Sequence, residues 1–285
     1  MAALSMSDSN LSPLTARDGT NLVVIDWPLD KGPVRGVVLI VHGLGEHAWR
    51  YDHVAQRLNS WGFAVRGYDQ YGHGESMGLR GALPSPDRLL ADLAEVMDES
   101  RARMNVGTPL IVFGHSMGGL VAARLVSLAA RPVQALIMSS PALDAGLSMF
   151  QKLLLAVVPW FAPDLRVRNG FDPSFISHDP GIVSAYKSDP LVHDRISARL
   201  AVFIARNGPV TIAAAPAWTV PTLLLYAGAD KLVKPAGSRA FAQRAPKDVV
   251  SAYCFEKLYH EIFNELDADR ERVFAELKRW LDARF

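Results

Sequence analysis

Leu110-Ile111-Val112-Phe113-Gly114-His115-Ser116-Met117-Gly118-Gly119-Leu120 decides how this chain reads. Four apolar residues run into a Gly-x-Ser-x-Gly turn, and helical periodicity follows as far as residue 130. A strand that passes into a helix over so sharp a turn strains the serine backbone and crowds the residues two before and two after it. Only positions without a side chain fit there, and Gly114 and Gly118 meet that demand. The helix N-terminus then surrounds Ser116 with N–H groups that favour negative charge. The competing reading, an incidental serine in a glycine-rich turn, has the flanking strand and helix against it.

Further short apolar runs lie at 35–41, 133–138, 222–226 and 250–255. Such runs suit strands covered on both faces, as in a parallel sheet. Segments of helical periodicity separate them, clearest at 51–61, 87–104, 119–130, 237–245 and 261–285. The alternation predicts an α/β fold with a mostly parallel, doubly wound sheet. From 145 to 218 the rhythm breaks into helices and loops without a convincing strand, too long for a structureless connection. The expectation is a helical cap over 145–218 inserted into a core made of 1–144 and 219–285. Between Ala145 and Pro163 the only charged side chain is Lys152, so a cap helix there must cover apolar material on more than one side.

The 285 residues are 49% hydrophobic, enough for a sizeable core, and 30 Lys+Arg stand against 29 Asp+Glu. That balance leaves no electrostatic footprint for nucleic acid. The single cysteine, Cys254, excludes an intrachain disulfide and a Cys-rich zinc site, and its place in an apolar run reads as packing. Residues 1–13 look like a frayed tail without the basic and apolar regions of a secretory signal. No apolar stretch of about 20 residues is apparent. A cytoplasmic protein is expected, with peripheral membrane contact through the cap and the oligomeric state both left open.

His42-Gly43-Leu44-Gly45-Glu46-His47 follows the 35–41 strand, where an acyl-transfer enzyme needs a second backbone donor beside the elbow. The N–H groups of Leu44 and Met117 are the candidate oxyanion hole. The same loop approximates a zinc-protease H-x-x-E-H with one residue too many, and Gly43 to Ala48 fits G-x-G-x-x-A, with Asp69 ending the next strand. A dinucleotide-binding oxidoreductase would leave the serine elbow without a purpose. Asp230, in Gly228-Ala229-Asp230, and His260, in Tyr259-His260-Glu261, lie just past two later strands, on the sheet edge where the elbow opens. Ser116, Asp230 and His260 stand in nucleophile–acid–base order. Asp144 is the rival acid. His115 adjoins the nucleophile, but neighbours on the elbow point in different directions; His47, His53, His73, His178 and His193 read as surface or hydrogen-bonding residues, and Asp69 as an anchor for the Gly72-His73-Gly74 turn. Glu46 and Arg50 either pair to order the oxyanion loop or are solvated.

These residues resemble the monoacylglycerol lipase and lysophospholipase-like branch of the α/β-hydrolase superfamily over nearly the whole length. The resemblance rests on His42 to His47, Asp69-Gln-Tyr-Gly-His-Gly-Glu-Ser76, Gly114 to Gly119, Asp189-Pro-Leu-Val-His193, Gly228 to Asp230 and Tyr259 to Glu261. It implies an α/β-hydrolase fold with a cap, Ser116, Asp230 and His260 as triad, Leu44 and Met117 as oxyanion donors, and no cofactor or metal. Two positions depart from the branch: Leu44, where a smaller residue is usual, and Tyr71, where Arg is common. The function expected is hydrolysis of monoacylglycerols or similar lipid-like esters through an acyl-enzyme on Ser116. Alternatives are a short-chain carboxylesterase, a related acyl or C–C bond hydrolase, the oxidoreductase, and a non-catalytic small-molecule binding module.

Overall fold

The computed structural model describes residues 10–29, 32–146 and 148–285. Its strands are β1 (Asn10–Thr15), β2 (Asn21–Trp27), β3 (Gly36–Val41), β4 (Phe63–Tyr68), β5 (Leu110–His115), β6 (Ala135–Ser139), β7 (Arg166–Arg168), β8 (Arg195–Ser197), β9 (Thr222–Ala227) and β10 (Val250–Phe255). The helices are α1 (Asp52–Ser60), α2 (Arg88–Arg103), α3 (Ser116–Ser127), α4 (Met149–Phe161), α5 (Pro180–Ser188), α6 (Ala198–Ala214), α7 (Pro235–Arg244) and α8 (Asp267–Asp282). Eight strands form one sheet in the order β1-β2-β4-β3-β5-β6-β9-β10, parallel from β4 onward and antiparallel at the β1-β2-β4 edge.

Strand alternation explains the continuous apolar runs. Leu39, Val41, Leu110 and Val112 enter one core with α2, α3 and α7, while Val38, Ile40, Ile111 and Phe113 enter the other with α1 and α8. Both faces are covered, so the middles of β3, β5, β6 and β9 are apolar, and the polar residues His115, Ser139 and Thr222 sit at strand ends. The fold is an α/β-hydrolase fold, and α4, α5 and α6 leave it between β6 and β9.

Several local expectations need correction. Residues 10–13 are no frayed tail but belong to β1, paired antiparallel with β2 from Asn10↔Asp26 to Thr15↔Asn21. An exposed edge strand lacks the apolar run that marks a buried one, and it tolerates Pro13. The remainder of the expected tail, residues 1–9, and Leu147 lie outside the described residues. The 145–218 stretch does hold strand: β7 and β8 pair antiparallel through Arg166↔Ser197 and Arg168↔Arg195. Helix α3 starts at Ser116, three residues before the periodicity suggested, and α8 starts at Asp267 after a separate 3-10 turn at Ile262–Asn264. The helical stretch Ala198–Ala217 is long and apolar enough to cross a membrane by length and composition, which the sequence reading overlooked. It contains Arg199 and Arg206, and its Leu200, Phe203 and Ile204 are buried in the core.

The elbow depends on close backbone approach. A methyl at Gly118 would be driven into the carbonyl oxygens of Val41 and His42 on β3 and its loop, and one at Gly114 would meet Gly118 O at 2.5 Å. Backbone cannot yield as a side-chain tip does, so Gly118→Ala should cost about 3 kcal/mol or more. Urea unfolding reads this out, and an unchanged midpoint would refute the close approach.

Candidate active site

The loops that follow β3, β5, β9 and β10 share one rim of the sheet, and each brings a site residue there. Ser116 sits at φ +53°, a left-handed conformation rare for a residue with a side chain. This is the strained elbow that the glycine spacing demanded. Its carbonyl accepts the Ala142 N–H at 2.9 Å, which ties the elbow to the loop after β6.

Asp230 caps its own loop: Oδ1 accepts the N–H groups of Leu232 at 2.8 Å and Val233 at 2.9 Å. That fixes the carboxylate plane, and Oδ2 then meets His260 Nδ1 at 2.6 Å. Both side chains are buried. Burial alone would raise the Asp230 carboxyl, but the imidazole and the loop N–H groups hold it below the usual range. Burial would likewise lower His260, but the Asp230 charge and hydrogen bond raise it above the ordinary value of 6.5. An ionised Asp230 requires the proton on Nδ1, which leaves Nε2 as the basic atom. Ser116 and His260 line one small cavity together with Gly43 and Leu44. Their mutual hydrogen bond is not formed in this structure; such bonds are often long before substrate binds and tighten with it.

The N–H groups of Leu44, in the loop after β3, and Met117, second residue of α3, donate to no hydrogen bond among the described residues. Both residues line the cavity at Ser116. That cavity, about 230 Å³, continues along Ile196, Ile204 and Val233 and along Leu155 and Gln151 of α4.

Glu46 and Arg50 do pair, at 2.6 Å, and both are buried. Glu46 Oε1 also accepts the Gly43 N–H at 2.5 Å and the Tyr51 hydroxyl at 2.7 Å. Arg50 reaches further than the sequence reading allowed: it holds Glu261 bidentately at 2.7 and 2.8 Å and lies over the Tyr186 ring of α5. Burial opposes the Glu261 charge, but Arg50 overrides it and holds the carboxyl at about 2. The roles of Glu261 and Tyr51, and the reach of Arg50 to Glu261, are what sequence reasoning missed. The signals were the i, i+4 spacing of Glu46 and Arg50 and the position of Glu261 beside His260.

The rival residues are engaged elsewhere. Asp144 Oδ1 accepts the Gly146 N–H at 2.9 Å within its own turn. Asp69 accepts the N–H groups of Ala48 and Glu75, each at 2.8 Å, so it anchors both the oxyanion loop and the glycine-rich turn. His42 accepts the Gln70 N–H through Nε2 at 2.9 Å, and burial lowers it to about 3. His47 pairs with Asp189 at 2.8 Å, His53 meets Phe263 O, His73 meets Tyr71 O, and His178 meets Glu265. His193 Nδ1 accepts the Arg195 N–H. His115 meets Ser139 Oγ at 3.0 Å and is lowered by burial to about 3.

A serine on a strained elbow, with a buried Asp–His pair on the same rim, marks the class: a serine hydrolase of the α/β-hydrolase fold acting on small-molecule esters. Residues 32–267 match the family described as serine aminopeptidase, S33, and the chain belongs to that family. It is similar to the monoacylglycerol lipase of Mycolicibacterium smegmatis, 34% identical over 92% of this chain and 93% of the relative. The human monoglyceride lipase is 29% identical over 98% of this chain and 93% of its own length. Among solved structures, the monoacylglycerol lipase of Paleococcus ferrophilus superposes with a TM-score of 0.83 at 33% identity, covering 93% and 99% of the two chains. These comparisons place the chain in the monoacylglycerol lipase-like branch.

The charge arrangement gives a pH signature. With neutral His260 as the candidate base, kcat/KM should rise with pH through an apparent pKa above 6.5. Asp230→Asn removes the charge that raises it, so the rise should move to lower pH while kcat falls about 10³-fold or more. Asp144→Asn should leave both within about twofold. Equal losses from the two variants would reassign the acid.

Proposed function

We propose that this protein hydrolyses monoacylglycerols, with Ser116 as nucleophile, His260 as general base and Asp230 as the group that orients it. The observation that carries the reading is the 2.6 Å Asp230–His260 bond beside the Ser116 elbow, at the head of an apolar cavity. His260 Nε2 takes the Ser116 proton as Oγ attacks the ester carbonyl. The resulting oxyanion is held by the Leu44 and Met117 N–H groups, each such donor contributing about 2.7–4 kcal/mol to the transition state. The tetrahedral adduct collapses, the proton passes to the leaving alcohol, and an acyl group remains on Ser116. Water, deprotonated by His260, releases the fatty acid and restores the serine. No step calls for a metal or cofactor.

The cap assigned to 145–218, over a core of 1–144 and 219–285, fits a substrate with one acyl chain. The apolar cavity beside Ser116 takes the chain, with Leu155 and Ile204 from α4 and α6 among its walls. Leu153, Val157, Trp160 and Phe161 recur on one stripe of α4, and Trp160 and Phe161 are 81% and 86% exposed. The occupant of that stripe is a lipid surface, since the cavity wall beside it leads an ester straight to the serine.

Ser116→Ala should abolish ester turnover while leaving the unfolding curve in place; a large residual rate would discard the triad. Across p-nitrophenyl esters from acetate to decanoate, kcat/KM should rise into the medium chains. A steady fall along the series would favour the short-chain carboxylesterase reading. Trp160→Ser with Phe161→Ser should weaken co-sedimentation with phosphatidylcholine vesicles about tenfold or more and spare turnover of soluble esters. Unchanged vesicle binding would remove the lipid contact.

A further inference from the structure

Leu44 enters the proposed mechanism only through its backbone N–H, yet its side chain has a place of its own in the site. It is buried, and it lines both the acyl cavity and the small inner cavity. The inner cavity holds about 20 Å³, under a tenth of the 230 Å³ acyl cavity. Ser116 lines both, but of the two His260 lines only the inner one. The proton that His260 returns must reach the leaving oxygen, so the alcohol carbon bonded to that oxygen lies in the inner cavity. The acyl chain takes the other.

The walls of the inner cavity have little freedom to retreat. The Gly45 carbonyl, next to Leu44, accepts the His193 N–H at 2.8 Å, and a methyl at Gly45 would lie 2.3 Å from the His193 oxygen. Glu46, one residue further on, is held by Arg50 at 2.6 Å. Ile176 is buried too, and its carbonyl accepts the Glu261 N–H at 2.8 Å, so cap and core are joined at that wall. Leu44 is therefore a fixed boundary rather than a side chain on a mobile loop. Beyond these walls the constraint ends. An outer cavity of about 650 Å³ joins the inner one at Phe171, Ile176, Tyr186 and Leu232. There Arg80, Arg168, Lys187 and Arg195 surround Asp189, paired with His47, and Asp194, paired with Arg168 and Arg195. The first carbon of the alcohol is confined, and the rest of it has open, polar space.

We infer that the Leu44 side chain makes the enzyme selective for esters of primary alcohols, the 1-monoacylglycerols over their 2-isomers. The inference rests on the monoacylglycerol reading of Ser116 and narrows it. A primary ester puts one CH2 against Leu44, whereas a secondary ester carries a second branch at the same carbon. Against a close-packed wall an extra methyl-sized group must displace side chains, and a pocket discriminates by about 10–200-fold over one such group.

The test uses two isomers, n-propyl and isopropyl hexanoate, below their solubility limits so that no lipid surface contributes. They share the acyl chain and the formula and differ only in the branch. Each kcat/KM is divided by the ester's own rate of alkaline hydrolysis, which removes the lower intrinsic reactivity of a secondary ester. The parent should then prefer the n-propyl ester about tenfold or more. Leu44→Ala keeps the backbone donor and opens the wall, so the corrected ratio should fall to within about threefold of unity. Leu44→Met, of similar volume, should keep the parental ratio. A displaced oxyanion loop slows both esters alike and leaves the ratio unchanged, so the ratio separates selectivity from a merely structural role. Should Leu44→Ala not fold, Leu44→Val should lower the ratio in the same direction. Initial rates on 1- and 2-decanoylglycerol, taken before acyl migration, should follow the same order. Equal corrected rates on the two isomers in the parent overturn the inference and leave the ester-hydrolase reading standing. A selective parent whose ratio survives Leu44→Ala also overturns it, because the branch is then excluded by another wall. If neither hexanoate and neither decanoylglycerol is cleaved, the monoacylglycerol reading itself fails and the inference falls with it.

Discussion

A guanidinium buried between two carboxylates holds this site in shape. Arg50 joins Glu46, which grips the Gly43 N–H of the oxyanion loop, to Glu261, which follows His260 and is 211 residues away in the chain. Burying three charges is expensive, and the arrangement repays that only because the pairing is bidentate and the remaining acceptors are filled by Tyr51 and Asn264. Removing one partner from such a cluster typically costs about 3–5 kcal/mol, since it leaves a buried charge uncompensated. The consequence is geometric. The loop with the candidate oxyanion donor and the loop with the candidate base cannot drift apart without breaking that cluster, and the Tyr186 ring over Arg50 attaches α5 to the same point.

The sheet supplies the rest of the placement. Its parallel strands end on a common rim, so four loops separated widely in sequence converge without any of them being long. Ser116 has its strained φ because β5 turns directly into α3 against the carbonyls of Val41 and His42. Asp230 is oriented by its own loop before it meets His260, so the imidazole tautomer follows from local backbone geometry. Each component is positioned by something more rigid than itself, which is what preorganisation requires.

How much of this was legible depended on whether the signal was local. The elbow was readable because its glycines are a steric necessity at fixed offsets from Ser116. The central strands were readable because burial on both faces enforces continuous apolar runs. The preference for Asp230 over Asp144 came from strand order and the family resemblance; in the fold Asp144 spends its carboxylate on Gly146, and Asp230 faces His260. What escaped was non-local or weakly patterned. β1 is mostly exposed, and the β7-β8 pair is three residues a side, too short to establish a period. The reach of Arg50 to Glu261 could not be read from a spacing, because nothing in a linear pattern says that residues 50 and 261 meet.

Composition proved least informative where charge is concerned. A balance of 30 against 29 describes the whole chain, yet charged side chains cluster locally around the rim. Glu46 and Glu261, which line the inner cavity, are both paired with Arg50, and the outer cavity gathers four cations around two engaged carboxylates. Such clusters act at short range, because at physiological ionic strength the field of exposed charges fades within about 8 Å. An ester arriving from solvent would find an apolar wall for its chain, with the N–H groups of Leu44 and Met117 as candidate donors beside Ser116 at its head. A substrate turned end for end would press its polar alcohol against that wall and leave its chain in water, so the acyl carbonyl is aimed at Ser116 by exclusion as much as by contact.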